Sequence, residues 1–382
     1  MNVYCDNGAT TQVDPKVVEA MLPYFTEYYG NASSLHNFGE QARTAVEQAR
    51  ATIAKAINAD PSEIIFTSGG SEADNLAILG TAVAYKGKGN HIITSKIEHP
   101  AILQTCEYLA KIGYNVTYLD VNKEGFIDLA QLEKALTEKT ILVSIMHANN
   151  EIGVIQPLED IGTLCAENNV FFHTDAVQSF IKTDLDVKKS QLTFASFAAH
   201  KIHGPKGVGA LYRKQGVKIT PLIHGGHQEL GLRAGTENVP GIVGFGKAVE
   251  LGMNPEHMGK MKTLRDQLIL GILKTIPNSR LNGPNGNKRL VNNANISYDF
   301  VEGESVLLRL NMEGIAVSTG SACSSGSTEP SHVLRAIQVP DKSIHGTIRY
   351  TISRFTSQKE INYVIESSAK VVEALRRISP LR

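Results

Sequence analysis

Four stretches of this sequence combine residue types that can do chemistry. The first is Thr67-Ser68-Gly69-Gly70-Ser71-Glu72, where glycines and hydroxyls open a helix. Bare backbone N–H groups at a helix N-terminus, joined by hydroxyls, suit a phosphate. The glycine spacing matches neither the P-loop nor the dinucleotide fingerprint, which leaves a simple cap, a mononucleotide or a small phosphorylated cofactor open. The second is Thr174-Asp175-Ala176-Val177-Gln178. Asp175 reads equally well as a helix cap or as a carboxylate held against a pyridine nitrogen, the contact that keeps a pyridinium protonated as an electron sink. The third runs from Ser196 to Gly207 and sets His200-Lys201 and Lys206 among Gly, Pro and His. A lysine at a strand end is normally solvated. A Schiff-base lysine must shed its proton well below its free pKa of about 10.4, which partial burial beside a cationic cofactor achieves. Lys201 directly follows the strand and is the stronger candidate, whereas Lys206, between Pro205 and Gly207, suits the turn. The fourth is Cys323, inside the Ser/Gly-rich stretch 318–328. No apolar periodicity there asks for burial, and a free thiol pKa of about 8.5 leaves a usable thiolate fraction. Cys106 and Cys165 fall on apolar helical faces and Cys5 reads as a packing residue, the ordinary fate of a free cysteine.

These residues must be positioned by elements that alternate along the chain. Apolar runs at 63–67, 91–94, 116–119, 141–146, 170–173, 195–197 and 208–212 read as strands. Helical spacing appears at 41–57, from about 71, and at 101–111, 129–136 and 158–168, and Asp14-Pro15 opens an earlier helix as N-cap and first-turn proline. Strand and helix in alternation predict an α/β fold with a mostly parallel sheet covered on both faces. In such sheets ligands bind at the carboxyl ends of the strands, where the first three stretches lie. From about residue 249 the texture changes to two long helices, 258–275 and 357–377, with short strands at 294–298 and 347–353. The expected division is a large domain over 14–248 and a smaller α+β domain made of 1–13 and 249–382, which carries the cysteine loop.

The chain has 382 residues, 42% hydrophobic and 20% charged, enough for a substantial core. Thirty-eight basic residues balance thirty-eight acidic ones, so no electrostatic footprint for nucleic acid or an anionic membrane is present. No apolar run approaches the roughly 18 residues of a membrane span, and the N-terminus shows no secretory pattern. The four cysteines form no Cys-x-x-Cys pair, so neither a disulfide framework nor a cysteine-only metal site is indicated. A cytoplasmic protein with reduced thiols is expected.

The order of these pieces, with His99, Asn150 and Gln178 also at strand ends, resembles class V pyridoxal phosphate (PLP)-dependent enzymes of the aminotransferase-like fold (fold type I). The likeness narrows to cysteine desulfurases of the NifS/IscS type on Asp6-Asn7-Gly8-Ala9-Thr10-Thr11, Gly30-Asn31-Ala32-Ser33-Ser34, Glu98-His99-Pro100 and His147-Ala148-Asn149-Asn150-Glu151-Ile152-Gly153. His200 through Gly207, Arg233-Ala234-Gly235-Thr236-Glu237-Asn238 and Ser318-Thr319-Gly320-Ser321-Ala322-Cys323 extend it over essentially the whole chain.

The resemblance implies roles. Lys201 would hold PLP, Asp175 would pair with its ring nitrogen, Gln178 and Asn150 would sit near its ring oxygen, and His99 would stack on the ring and transfer protons. Gly70, Ser71 and His200 would hold the phosphate, joined by Thr236 from the second subunit of a homodimer. Arg349 would bind the substrate carboxylate, with Asn150 and Asn31 also at the substrate. Cys323 would take sulfur from L-cysteine as a persulfide, releasing L-alanine, and carry it to an acceptor such as an iron–sulfur scaffold protein, where it is also a candidate transient cluster ligand; no intrinsic metal is implied. One departure stands out: Ala198 occupies a position where the family commonly has a phosphate-binding serine. Losing one neutral hydrogen bond costs about 1 kcal/mol, which weakens cofactor retention without removing the chemistry. The alternatives are another class V enzyme, an aminotransferase or selenocysteine lyase, and a non-catalytic assembly module.

Overall fold

A computed structural model of the chain describes residues 1–319 and 330–380. The first strand, β1 (Val3–Tyr4), stays out of the main sheet and pairs in parallel with β11 (Ile315–Ala316), far along the chain. The main sheet has seven strands: β2 (Ile64–Thr67), β3 (His91–Ser95), β4 (Asn115–Leu119), β5 (Thr140–Ser144), β6 (Phe171–Asp175), β7 (Phe194–Ala198) and β8 (Gly209–Arg213). Their spatial order is β2-β8-β7-β6-β5-β3-β4. Only β8 runs against its neighbours; the others point one way and so bring their carboxyl ends to one edge.

The burial explains the apolar runs. Because side chains alternate across a strand, Phe66, Ile93, Val143 and Ala210 face one helical layer while Ile65, Ile92, Leu142 and Leu211 face the other. A sheet covered on both faces reads as a continuous apolar stretch, which is why these strands are legible without polar alternation. Strand bounds shift by a residue or two and helix starts by up to four, and one shift has a consequence: β6 runs on through Asp175, and a turn rather than a helix follows it. Two of the longer helices have no counterpart in the sequence expectations, Val239–Gly252 and Gly303–Met312, and neither have the short ones His332–Ala336 and Asp341–Ile344. The first is apolar nearly all round and glycine-rich, so it shows no amphipathic stripe. Its Gly246 lies so close to the helix Asn37–Ala56 that an added Cβ would stand 2.8 Å from that of Ala49.

The chain after this helix builds an antiparallel sheet ordered β12 (Thr347–Thr351), β10 (Asn293–Tyr298), β9 (Ser279–Leu281). The helices Pro255–Thr275 and Gln358–Ile378 cover it, with Leu268, Ile272, Ile296, Ile348, Val364 and Val372 in a separate core that also takes in Val3 and Cys5. The segment between β1 and the first helix then crosses to the main sheet. Asp14, N-cap of the helix Pro15–Met21, receives Arg354 at 2.6 Å, and Thr11 N–H donates to the His200 carbonyl.

The edge itself depends on close backbone approach. A Cβ on Gly209 would lie 2.7 Å from the backbone of Gly69 and 2.5 Å from the Phe197 carbonyl oxygen. Gly209→Ala is therefore expected to destabilise the fold by about 1–3 kcal/mol, read from denaturant unfolding, and to push the Gly69 turn outward.

Candidate active site

A cavity of about 250 Å³ opens at the carboxyl edge of the parallel strands. Gly70, Ser71, His99, Asn150, Asp175, Gln178, His200, Lys201 and Arg349 all line it, so the structure gathers nine of the residues singled out from the sequence. Asn31 and Thr236 do not reach it in this chain; both are exposed. Cys323 lies outside the described residues.

Each wall has its own physical role. The helix Gly70–Ala84 starts from Gly69 with no side-chain cap, leaving its first N–H groups directed at the cavity. Gly70 is required there, since a Cβ would come within 2.6 Å of Val177 Cγ2. A helix N-terminus in this state suits a phosphate group. Ala198 lies beside it, 3.7 Å from the same Cβ position.

Asp175 ends β6 and accepts from the Val177 N–H at 2.9 Å. Burial pushes its carboxyl up, and His99, that backbone donor and Lys201 pull it back. His99 is the N-cap of the helix Pro100–Lys111, its Nδ1 accepting from the Ala101 N–H at 3.1 Å. That bond keeps the proton on Nε2, and burial lowers the pKa further, so the ring is neutral. His200 is likewise held down, to about 4, by burial and then by the lysines around it.

Lys201 closes a 3₁₀ turn immediately after β7. Its Nζ donates to the carbonyls of Gly8 and Ala9, 2.7 Å each, while Gln178 Nε2 donates to the same Gly8 oxygen at 2.9 Å. The N-terminal segment thus forms part of the wall, which explains its motif.

Arg349 comes from β12 and is 3% exposed. One terminal nitrogen donates to the Asn150 carbonyl and the other to Asp6, both at 3.0 Å. Its Nε has no partner among the described residues, leaving a buried donor for a ligand carboxylate.

Several residues of the site were not foreseen. Asn149 shapes the loop by donating to the Ile97 carbonyl and accepting from the N–H groups of Glu151 and Ile152. Glu98 is buried against Ser95 and the Met146 N–H, and Asp74 lines the cavity itself. Glu98 and Asn149 lie within the motifs that carried the resemblance but were given no role, and Asp74, among Ser71, Glu72 and Asn75 at the start of its helix, looked like an ordinary polar first turn.

The family model of class-V aminotransferases matches residues 3–364. The chain belongs to that family. Among class-V relatives, it is 53% identical over 382 residues to a cysteine desulfurase IscS of Clostridium botulinum, covering 99% of this chain and 96% of that one. A cysteine desulfurase IscS of Methanosarcina thermophila is 51% identical, with 99% and 94% covered. A solved NifS-like protein superposes with a TM-score of 0.91 at 39% identity, covering 98% of this chain and all of the other. SspA, solved in complex with cysteine, superposes with a TM-score of 0.84 at 38% identity, covering 93% of this chain. The class-V fold agrees with the parallel-sheet expectation.

The loop that presents the Asn150 carbonyl has a titrating anchor. Glu151 is buried, accepts from Ser331 at 2.6 Å, and is pushed by burial from 4.5 up to about 7. The folded protein therefore binds more protons than the unfolded chain between those values, and stability falls as pH rises through that window. Glu151→Gln should make the fall in urea midpoint with pH shallower; Glu98, raised to about 8 by burial, sustains the remainder. An unchanged slope would count against this assignment.

Proposed function

We propose that this class-V protein is a PLP-dependent cysteine desulfurase that converts L-cysteine to L-alanine and passes the sulfur, held on Cys323, to an acceptor protein. The observation that carries the reading is the convergence, on one edge, of an uncapped helix N-terminus, a buried carboxyl, a strand-end lysine and an arginine with a spare donor. Those groups fit a phosphate, a cationic ring nitrogen, an aldehyde and a substrate carboxylate in turn, and Gly70 lets the helix start pack against Val177 where a Cβ would clash. The names of the relatives select the reaction among class-V chemistries.

Gly70, Ser71 and His200 would hold the phosphate, Asp175 the ring nitrogen, Gln178 and Asn150 the ring oxygen, and Lys201 the aldehyde carbon. Bound there, pyridoxal 5′-phosphate would supply the electron sink for charge developing at the substrate Cα. Arg349 fixes the substrate carboxylate, its Asp6 and Asn150 contacts stopping the guanidinium from turning away. Lys201 Nζ, released from the Gly8 and Ala9 carbonyls, takes the Cα proton. His99 holds its proton on Nε2, ready to donate within the cavity. The Cys323 thiolate attacks the substrate sulfur as the Cβ–S bond breaks, so that L-cysteine and the thiol become L-alanine and a persulfide with no external oxidant. The other three cysteines are buried, with burial raising each thiol to about 12, which leaves Cys323 as the nucleophile.

The exposed Thr236 and Asn31 are assigned to a homodimer, Thr236 reaching the partner's phosphate site and Asn31 the substrate. The large domain is drawn as 14–248 and the smaller as 1–13 with 249–382, supported by the separate core around β10 and β12. Among the described residues no helix is long and apolar enough to cross a membrane. A reducing cytoplasm suits the free thiols, and an iron–sulfur scaffold protein is the acceptor we favour.

The deciding experiment is visible absorbance before and after L-cysteine, with alanine and sulfide assayed together. A yellow band that shifts, with alanine and reductant-dependent sulfide in equal amounts, supports the reading; a yellow protein that makes no alanine overturns it. Cys323→Ser should lose sulfide release and keep cofactor binding, whereas Lys201→Ala should lose the covalently held cofactor. Ala198→Ser, restoring one hydrogen bond of about 1 kcal/mol, should tighten cofactor binding roughly fivefold in equilibrium titrations of the cofactor-free protein.

A further inference from the structure

The cavity contains a second carboxyl group with no task in the chemistry above. Asp74, on the helix Gly70–Ala84, is 1% exposed and shares the cavity with Asp175. Ser196 of β7 hydrogen-bonds its carboxyl. Its Oδ1 has no hydrogen-bond partner among the described residues and stands 3.6 Å from Nε2 of His173. His173, fully buried on β6, places Nδ1 2.8 Å from the Ser144 hydroxyl and Nε2 3.0 Å from that of Ser196. A hydroxyl donates or accepts, and a neutral imidazole offers one of each with either tautomer. Asp74 therefore ends a chain, Ser144–His173–Ser196, that can serve a protonated or an ionised carboxyl without moving a heavy atom.

The titratable groups around Asp74 are few. Asp175 and His173 stand beside it on β6 and Glu98 just before the neighbouring helix, while His99, His200, Lys201 and Arg349 share its cavity. Thr67 and Gly209, at the ends of β2 and β8 beside the helix, bring none. Two carboxyl groups in one dehydrated cavity resist ionising together. Asp175 has the Val177 N–H and is drawn toward ionisation by His99 and Lys201. Asp74 is pushed up by burial, then by Asp175 and Glu98, with only Ser196 opposing. Burial holds His173 neutral, so it brings no compensating charge. The shared proton belongs on Asp74.

We propose that Asp74 is a proton-storing positioning residue of the cofactor site, protonated while the site is free of added positive charge and ionised once a cationic ring nitrogen settles on Asp175. This rests on the cofactor placement given under Proposed function. Only one O–H bond breaks: the proton passes from the Asp74 carboxyl to water in the cavity, and Ser196 turns its hydroxyl proton to the new carboxylate while His173 Nε2–H donates to the Ser196 oxygen.

The test compares cofactor-free full-length protein with D74N, titrated with pyridoxal 5′-phosphate and with its 1-deaza analogue, whose ring carries no nitrogen to protonate. Calorimetry in buffers of different ionisation enthalpy counts the protons released. Wild type should release up to about one proton more than D74N, and its association constant should rise more steeply with pH, by up to about tenfold per unit. That gap should close with the deaza analogue. Equal proton counts, or a gap that persists with the deaza analogue, would overturn the proposal. Failure of both proteins to bind either compound would instead overturn the cofactor reading, and this one with it. Should D74N not fold, infrared spectra of wild type labelled with ¹³C-aspartate decide alone: a protonated-carboxyl band must be present before pyridoxal phosphate is added and lost afterwards, and its absence at the start sinks the idea.

Discussion

A guanidinium almost wholly removed from water needs partners for its donors, and Arg349 finds them for both terminal nitrogens by joining three distant parts of the chain. It starts on β12 of the small sheet, holds Asp6 of the N-terminal segment and holds the carbonyl that precedes Glu151. Breaking a buried charge pair by removing one partner costs about 3–5 kcal/mol, so the three parts are fixed relative to one another. The same segment carries Gly8 and Ala9, whose carbonyls receive Lys201. The site is therefore a seam between two cores, and Arg349, which lines the cavity, keeps a buried Nε without a partner among the described residues.

The edge of the main sheet accepts polar groups that its interior could not. The strands are buried on both faces by aliphatic residues, and that apolar area, at about 25 cal/mol per Å², supplies the stabilisation. Against it stand buried carboxyl groups at Asp74, Glu98, Glu151 and Asp175, all raised by desolvation. Each has a hydrogen bond that limits the cost: Ser196, Ser95, Ser331 and the Val177 N–H respectively. Three of the four lean on a serine hydroxyl, which can donate to a carboxylate or accept from a carboxylic acid. The site thus tolerates changes of protonation state that a site built on fixed donors would resist.

The neutral histidines follow the same economy. His99, His173 and His200 are all depressed chiefly by burial, and each has a ring nitrogen at a neighbour: Nδ1 of His99 at the Ala101 N–H, both nitrogens of His173 at serine hydroxyls, and Nδ1 of His200 at the Thr10 hydroxyl. For His99 that neighbour is backbone, so the tautomer is set by the start of a helix and not by the ligand.

Much of this was legible along the chain. Alternating strands and helices dictated a parallel sheet, since a strand buried on both faces can only be written as an apolar run, and the residues just past those runs had to share one edge. Gly70, Asp175 and Lys201 were readable for that reason. Arg349 drew notice only through resemblance, because an isolated arginine on a short strand looks like any surface cation until Asp6 and Asn150 stand beside it. The helix Val239–Gly252 escaped because a helix buried all round has no stripe. Pairings such as Glu151 with Ser331, or Asp74 with His173 and Ser196, join residues whose separation in sequence carries no signal, and their protonation depends on burial that no local pattern encodes. Residue types and their order along the strands decided what chemistry the edge could hold. Only the tertiary structure decided which donors remain unpartnered and where the protons sit, because desolvation and distance are properties of the packed chain.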